Sequence, residues 1–332
     1  MSQRIFYFPY HHVNRYVELN RQTLQQTGAE VHSYRQLYSL HNLRQRNNNT
    51  VVLNWFEDRP YRRSFSKPKR WLELLRTIGA LLVMRRFCQK VIWVRHNHRP
   101  HNVNNAAKSL HNNVPVSHLV NCWLLNAIAD HVVTMEPTAF ASEQIPHPLY
   151  RSDQQLQTAN SENKQHNSHS SFLFFGTIKP YKQLEQLLQH WPADITLTIL
   201  GYCADPHYYT ELNNLINQRR LKVNWHNAYV DEKQLNHTLA DCRYVIMPHS
   251  DESMISSGTF YHAASYGTNF VCFDSEFARS KAARHNFVHL VDKERLTEQL
   301  KKLPYIERQE VITQCLRDYG ESARLQAWQR LL

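Results

Sequence analysis

The sequence predicts an α/β protein built from two doubly wound parallel sheets, on three observations. Short apolar runs of strand length alternate with amphipathic stretches of helix length along most of the chain, the pattern of parallel strands covered by helices on both faces. At 332 residues the chain exceeds the size at which a single hydrophobic core stops growing. A polar stretch at 151–170, RSDQQLQTANSENKQHNSHS, has one leucine and no aromatic residue, so it reads as a linker or long surface loop. The expected organisation is an N-terminal domain over 1–150, the linker at 151–170 and a C-terminal domain over 171–317, with a C-terminal helix at 318–332 available to pack back on the first domain. Two Rossmann-like domains facing each other across a cleft follow, with the ligand at the C-terminal ends of the strands.

The elements are justified in order by composition and period. In the first half RIFYFPY, TVVLNWF, KVIWVRH and DHVVTME are short β-branched and aromatic runs and read as strands. Helices are expected near 15–27, 69–88 and 117–129. In the second half SFLFFG, ITLTILG, KVNWHNAYV, YVIMPHS and TNFVCFD read as strands, with helices near 181–190, 207–219, 232–240 and 258–265.

Composition excludes several classes. The six cysteines are scattered with no CxxC pair, which argues against a disulfide framework or a zinc knuckle and for a reducing compartment. The opening MSQRIFYFPYHH lacks the apolar core of a signal peptide. No apolar run approaches the roughly 18 residues that a spanning helix needs.

The net charge of +11 lies in one half. Residues 1–150 hold 19 Lys+Arg against 8 Asp+Glu, whereas residues 151–332 hold 20 of each. Between Arg59 and Arg99, 12 basic residues meet one acid, Glu73, and such a block attracts polyanions. Within it, KRWLELLRTIGALLVMRRFCQK places Trp71, Leu74, Leu75, Ile78, Leu81, Leu82 and Met84 or Phe87 on a broad apolar face with basic clusters at both ends. That composition fits a helix lying in an anionic membrane interface, and equally a buried helix with a basic rim.

Seven glycines serve the whole chain, so their placement is informative. Gly176 and Gly201 each end an expected strand, and Gly258 follows the loop MPHSDESMISS. Three strand ends of one domain thus carry a residue that lets the backbone approach a ligand closely. Ser256, Ser257 and Gly258 open a helix whose backbone N–H groups and dipole suit an anion, and Gly267 stands where that helix should end.

The second half resembles a known family. FFGTIKPYKQLEQLL, LTILG, NAYVDEKQLNHTLADCRYVIMPH and SSGTFYHAASYGTNFVC, in that order, look like the donor-binding domain of a GT-B glycosyltransferase. They are similar, more narrowly, to the family-4-like bacterial enzymes that build exopolysaccharides and surface glycans. In the first half HVNRYVELNRQTLQQTGAEV and VIWVRHNHRPHN are similar to the opening and the histidine segment of that group, so the resemblance spans most of residues 5–275. It implies that Lys182, six residues after Gly176, holds the donor diphosphate with Lys179 as a second cation. It implies that the backbone of Ser257, Gly258 and Thr259 cradles phosphate, that Tyr229 and Val230 pack around the base, and that His96 and Asn97 face the donor sugar.

One departure bears on stereochemistry. Retaining members carry two glutamates eight positions apart around the phosphate turn; here Met254 and His262 align with them, with Asp251 and Glu252 nearby. An inverting displacement is therefore expected, with His262 contacting ribose or phosphate. Inversion needs a general base for the acceptor hydroxyl. The candidates are His96, Asp58 and Glu57, then His101 and the pair His11 and His12; Glu57 and Asp58 can equally form a turn paired to Arg59, Arg62 or Arg63. His96, His98 and His101 lack the spacing of a metal site, so neither a metal nor another cofactor is expected.

The expected function is transfer of a sugar from a nucleotide-diphosphate sugar to a saccharide or polyprenyl-linked saccharide in bacterial surface-glycan assembly. The expected location is cytoplasmic, peripheral at the inner face of the cell membrane, with residues 59–99 on an anionic surface. Two other readings compete. A nucleotide-sugar epimerase of the same fold would leave the basic half idle. A nucleic-acid-binding protein would spread basic and aromatic residues along a groove, whereas the second half is neutral, so no nucleic-acid partner is expected.

Overall fold

The computed structural model describes residues 3–61, 65–97, 116–141, 143–161, 172–249 and 255–332. The chain divides into two compact units, one of Met1–Pro148, Ser253–Ser256 and Glu321–Leu332, the other of Leu149–Glu252 and Ser257–Gly320.

The first unit runs β1 (Arg4–Phe8), α1 (Arg15–Gln26), β2 (Glu30–Ser33), α2 (Leu40–Arg44), β3 (Asn49–Asn54), α3 (Lys67–Met84), β4 (Lys90–Val94), α4 (Val116–Ile128), β5 (His131–Thr134) and β6 (Glu143–Gln144). Its sheet is parallel throughout, in the order β2-β1-β3-β4-β5-β6. The order reverses between β1 and β3, so the loops after these two strands part and leave a crevice at their C-terminal ends. Ile5, Val52, Ile92 and Val133 alternate with Phe6, Val51, Leu53 and Trp93 to build one core on each face.

The second unit runs α5 (Asp153–Ser161), β7 (Phe172–Phe175), α6 (Leu184–His190), β8 (Leu197–Leu200), α7 (Pro206–Gln218), β9 (Val223–His226), α8 (Glu232–Asp241), β10 (Tyr244–Met247), α9 (Gly258–Ala264), β11 (Asn269–Phe273), α10 (Glu276–Ala282), β12 (Val288–Val291), α11 (Leu296–Lys301) and α12 (Arg308–Tyr319). This sheet is also parallel, in the order β12-β11-β10-β7-β8-β9, and reverses between β7 and β10. The last helix, α13 (Glu321–Leu331), belongs to the first unit, where it packs on α1.

Three strands escape the sequence pattern. β2 and β12 are four residues each with a polar centre, and β6 has only two residues. The stretch expected as a linker is in part a helix, and that expectation is corrected. Ser152 and Gln155 cap α5 reciprocally, each side chain taking the other's backbone N–H, and Leu156 is fully buried while α5 packs on α12. Its one leucine therefore falls where a neighbouring helix covers it; residues 162–170 lie outside the described residues. Near 181–190 the helix begins later than expected, because Pro180–Lys182 form a 3-10 turn that ends on Gln183 in the left-handed region.

Candidate active site

In the second unit several of the candidate side chains gather where the sheet reverses, between β7 and β10. Gly176 follows β7 with φ +102, a conformation that L side chains rarely adopt. A Cβ there would stand 2.8 Å from Lys182 Nζ and 3.6 Å from Thr259 Oγ1. Gly176, Lys182 and Thr259 therefore meet, and glycine is what allows the lysine to lie against the strand end.

Lys182 is buried. Its ammonium reaches the Phe175 carbonyl at a long 3.5 Å and has no carboxylate partner among the described residues. Burial, with Lys179 adding repulsion, pushes it down to about 8, so it remains mostly cationic at neutral pH. A desolvated cation without a counter-ion is costly, and an anion placed beside it relieves that cost.

Beyond the residues expected from the sequence, the segment after β10 contributes His249, also buried. Neither of its ring nitrogens has a hydrogen-bond partner among the described residues. Burial and the nearby Lys182 hold its imidazole well below the usual range, and therefore neutral. A histidine after a proline, among 21 histidines, carries no signal of its own in the sequence. Its place emerges only once β10 pairs with β7.

The other expected donor residues are set as follows. Ser257 stands before the first turn of α9, whose start is Gly258 and Thr259. A Cβ on Gly258 would come within 3.0 Å of the Tyr150 hydroxyl. His262 stacks on Tyr150 with ring centroids 4.6 Å apart, meets the edge of Phe175, and lies 3.0 Å from Asn236 Oδ1. Its ring is thus held by protein groups beside the strand end. Tyr229 is 82% exposed and packs against Tyr202, which follows β8, while Val230 is half-buried. Gly201 serves a purpose other than ligand approach: a Cβ there would collide with the Gly176 carbonyl, so the pair lets two strand-end turns touch. Gly267, at φ +67, turns the chain out of α9 against Arg308.

In the first unit the candidates follow β3 and β4. The Trp93 indole N–H donates to Glu57 Oε2 at 2.9 Å and the Asn121 amide to the Glu57 carbonyl at 3.3 Å. The Asn97 amide reaches Asp58 Oδ2 at 3.5 Å. Glu57 Oε1 and Asp58 Oδ1 are buried without a hydrogen-bond partner among the described residues. Burial raises the Glu57 carboxyl above the usual range, and burial together with the Glu57 charge raises Asp58. Arg59 forms an ion pair with Glu73 at 3.7 Å, and among the described residues it forms none with Glu57 or Asp58.

His96 is buried, stacked on Trp55 at 3.9 Å and edge-on to Tyr16 at 4.8 Å. Its Nε2 lies 3.0 Å from Asn54 Oδ1, whose amide group donates to the Phe8 carbonyl; this assigns the proton to Nε2. His12 also stacks on Trp55, with ring centroids 5.2 Å apart, while His11 is exposed. His98, His101, Arg62, Arg63, Asp251, Glu252 and Met254 lie outside the described residues. Among the described residues no three His, Cys, Asp or Glu side chains converge as metal ligands would.

No protein-family model and no curated protein matches this sequence. In structure the chain is similar to an α,α-trehalose-phosphate synthase (UDP-forming) from Burkholderia vietnamiensis, with TM-score 0.61 and 11% identity over 99% of this chain and 98% of that one. It is similar to a trehalose-6-phosphate protein from E. coli bound with UDP-2-fluoro glucose, with TM-score 0.64 and 8% identity over 99% and 98%. TarM gives TM-score 0.53 and 12% identity over 86% of this chain and 54% of that one. At such identities the likeness is one of fold, and the fold is GT-B, with its two Rossmann-like parallel sheets. It is broader than the family-4-like resemblance drawn from the motifs.

Proposed function

We propose that this chain is a glycosyltransferase moving a sugar from a nucleotide-diphosphate sugar to a saccharide or polyprenyl-linked saccharide, in bacterial surface-glycan assembly at the inner face of the cell membrane. The observation that carries this reading is Lys182: a buried ammonium without a carboxylate partner among the described residues, at the sheet reversal of a Rossmann-like unit, beside the unpartnered imidazole of His249. A diphosphate supplies the missing anion. Lys182, Lys179, the Thr259 hydroxyl and the backbone of Ser257 and Gly258 take its oxygens, and His249 donates one ring N–H. Tyr229, with Tyr202 behind it and Val230 beside it, offers its exposed ring to the base.

The chemistry is a single displacement. The acceptor hydroxyl oxygen bonds to the anomeric carbon as the bond from that carbon to the diphosphate oxygen breaks. The hydroxyl proton passes to Asp58, and the electron pair of the broken bond leaves on the diphosphate, where Lys182 offsets its charge. Asp58 is the proposed base: it follows β3, its Oδ1 is buried without a hydrogen-bond partner among the described residues, and burial beside Glu57 raises its carboxyl above the usual range. Glu57 sustains that shift, and His96 with Asn97 orients the loop. The helix α9 carries no carboxylate, consistent with inversion and with His262 lying at the ribose.

The test is a thermal-shift screen against UDP-, GDP-, ADP- and dTDP-sugars. UDP-glucose comes first, because two structural neighbours are described by UDP. A ligand at about 100 times its dissociation constant stabilises by roughly 2.7 kcal/mol, which such a screen resolves. Stabilisation by one nucleotide sugar, lost in Lys182→Ala, is expected; no response to any of them overturns the reading. Proton NMR of the product then reads the anomer. The configuration opposite to the donor's is expected, and retention would discard Asp58 as base.

A further inference from the structure

We propose that the first unit docks on an anionic lipid surface through one face that α3 and α4 build together. The inference deepens the membrane location in the reading above and depends on it only for purpose, because the evidence is the surface itself.

The apolar face expected for α3 is divided by the structure. Leu74, Leu81 and Met84 are buried, Leu81 and Met84 in the core with Leu125 of α4. Trp71, Leu72, Leu75, Leu82 and Val83 are turned outward, Trp71 65% exposed. The packed neighbour α4, VSHLVNCWLLNAI, contains no charged residue, yet it exposes Leu119, Val120 and Trp123, the last at 68%. A half-exposed helix without a single charge is unusual for a surface bathed only in water.

Charge selects the occupant. Among the described residues Glu73 is the acid of α3 and Asp130 the acid just after α4, and both are taken: Glu73 by Arg76 at 2.6 Å and by Arg59, Asp130 by Arg85 at 2.6 Å. Lys69 and Arg70 at one end of α3 and Arg86 beyond the other have no ion-pair partner among the described residues. An apolar strip with two tryptophans between cationic ends matches the acyl boundary and phosphates of an anionic leaflet. A second copy of the chain would bring the same cations face to face in a two-fold contact. Among the described residues no helix is long and apolar enough to cross a membrane, so the face lies on the surface rather than spanning it.

The experiment is flotation of the purified chain with vesicles of phosphatidylcholine alone or containing phosphatidylglycerol, with tryptophan fluorescence read in parallel. No sugar donor or acceptor is present, so its failure is separate from a failure of glycosyl transfer. Binding to the phosphatidylglycerol vesicles with a blue-shifted emission is expected, released as salt rises through the range where screening shortens to a few ångströms. Trp71→Ser with Trp123→Ser should weaken partition roughly tenfold or more at an unchanged melting temperature. Lys69→Glu with Arg86→Glu should weaken binding to the anionic vesicles alone, which keeps the inference testable if the tryptophan variant fails to fold. Three results overturn the proposal: wild type absent from anionic vesicles, variants that bind as wild type does, or a wild-type dimer that the tryptophan variant converts to monomer.

Discussion

Lys182 and its neighbours put a cation where water scarcely reaches, and at this scale the consequences are chemical. Lys182→Ala should lower turnover by about 10²-fold, the loss that follows removal of a positioned charge at a developing anion, measured as release of nucleoside diphosphate. Gly176→Ala should do as much damage without touching the charge. Its methyl group would stand 2.8 Å from Nζ on a left-handed backbone, and a melting curve should show a loss of about 1–3 kcal/mol besides. Glu57 makes a pH prediction. Burial raises its carboxyl, so the folded chain keeps a proton that the unfolded chain releases. That stability is fully present below the ordinary carboxylate value near 4 and is lost as pH rises toward neutrality. Glu57→Gln should therefore melt higher than wild type at pH 8, by about 2–4 °C if roughly 1 kcal/mol is regained. The gap should close by pH 4, and the acidic limb of the pH–rate profile should move down as Asp58 loses its charged neighbour. Lys182 was legible through the resemblance of FFGTIKPYKQLEQLL to a donor-binding segment, in which it stands six residues after Gly176. His249 was not, since its relation to Lys182 exists only across two paired strands.

At the scale of the element, burial separates residues that composition treats alike. Leu81 and Leu82 are adjacent leucines of α3, one fully buried and the other 64% exposed. Leu81→Ala should cost about 2–5 kcal/mol and Leu82→Ala less than about 0.5, read by denaturant unfolding. The same measurement on Leu156→Ala tests α5: a loss of about 2–5 kcal/mol is expected from a stretch whose composition resembles a linker. The capping pair Ser152 and Gln155 was visible in the sequence as S-x-x-Q. Its meaning was obscured by the run of Ser, Asn and Gln that follows, because a cap starts a helix only where something buries the apolar side.

The whole molecule closes its first unit with the last twelve residues. The Trp328 indole donates to Asn20 Oδ1 at 2.8 Å, Arg324 bonds Thr23, and Lys90 Nζ donates to the carbonyls of Leu331 and Leu332 at 2.9 and 2.8 Å. Ala327, Trp328 and Leu331 are buried in the core that also holds Ile5, Val52 and Ile92. Removing 321–332 should destabilise that unit by at least about 3–5 kcal/mol, the cost of emptying one buried tryptophan site. Calorimetry should show a transition moved well down in temperature; an unchanged profile would mean that α13 contributes nothing to the core.

What the sequence by itself determined is the local order: nine of the strands, eight of the helices though not α12, the Gly176–Lys182 spacing and the carboxylates after TVVLNWF. These rest on hydropathy period and backbone preference, which neighbouring residues carry between them. Tertiary structure alone decided which strand ends adjoin, and so placed His249 by Lys182 and Trp93 by Glu57. It alone decided which half of the α3 stripe is core, because that depends on where Leu125 of α4 arrives. Burial and pairing depend on partners distant in the chain, and hydropathy along a segment records only that segment's own side chains.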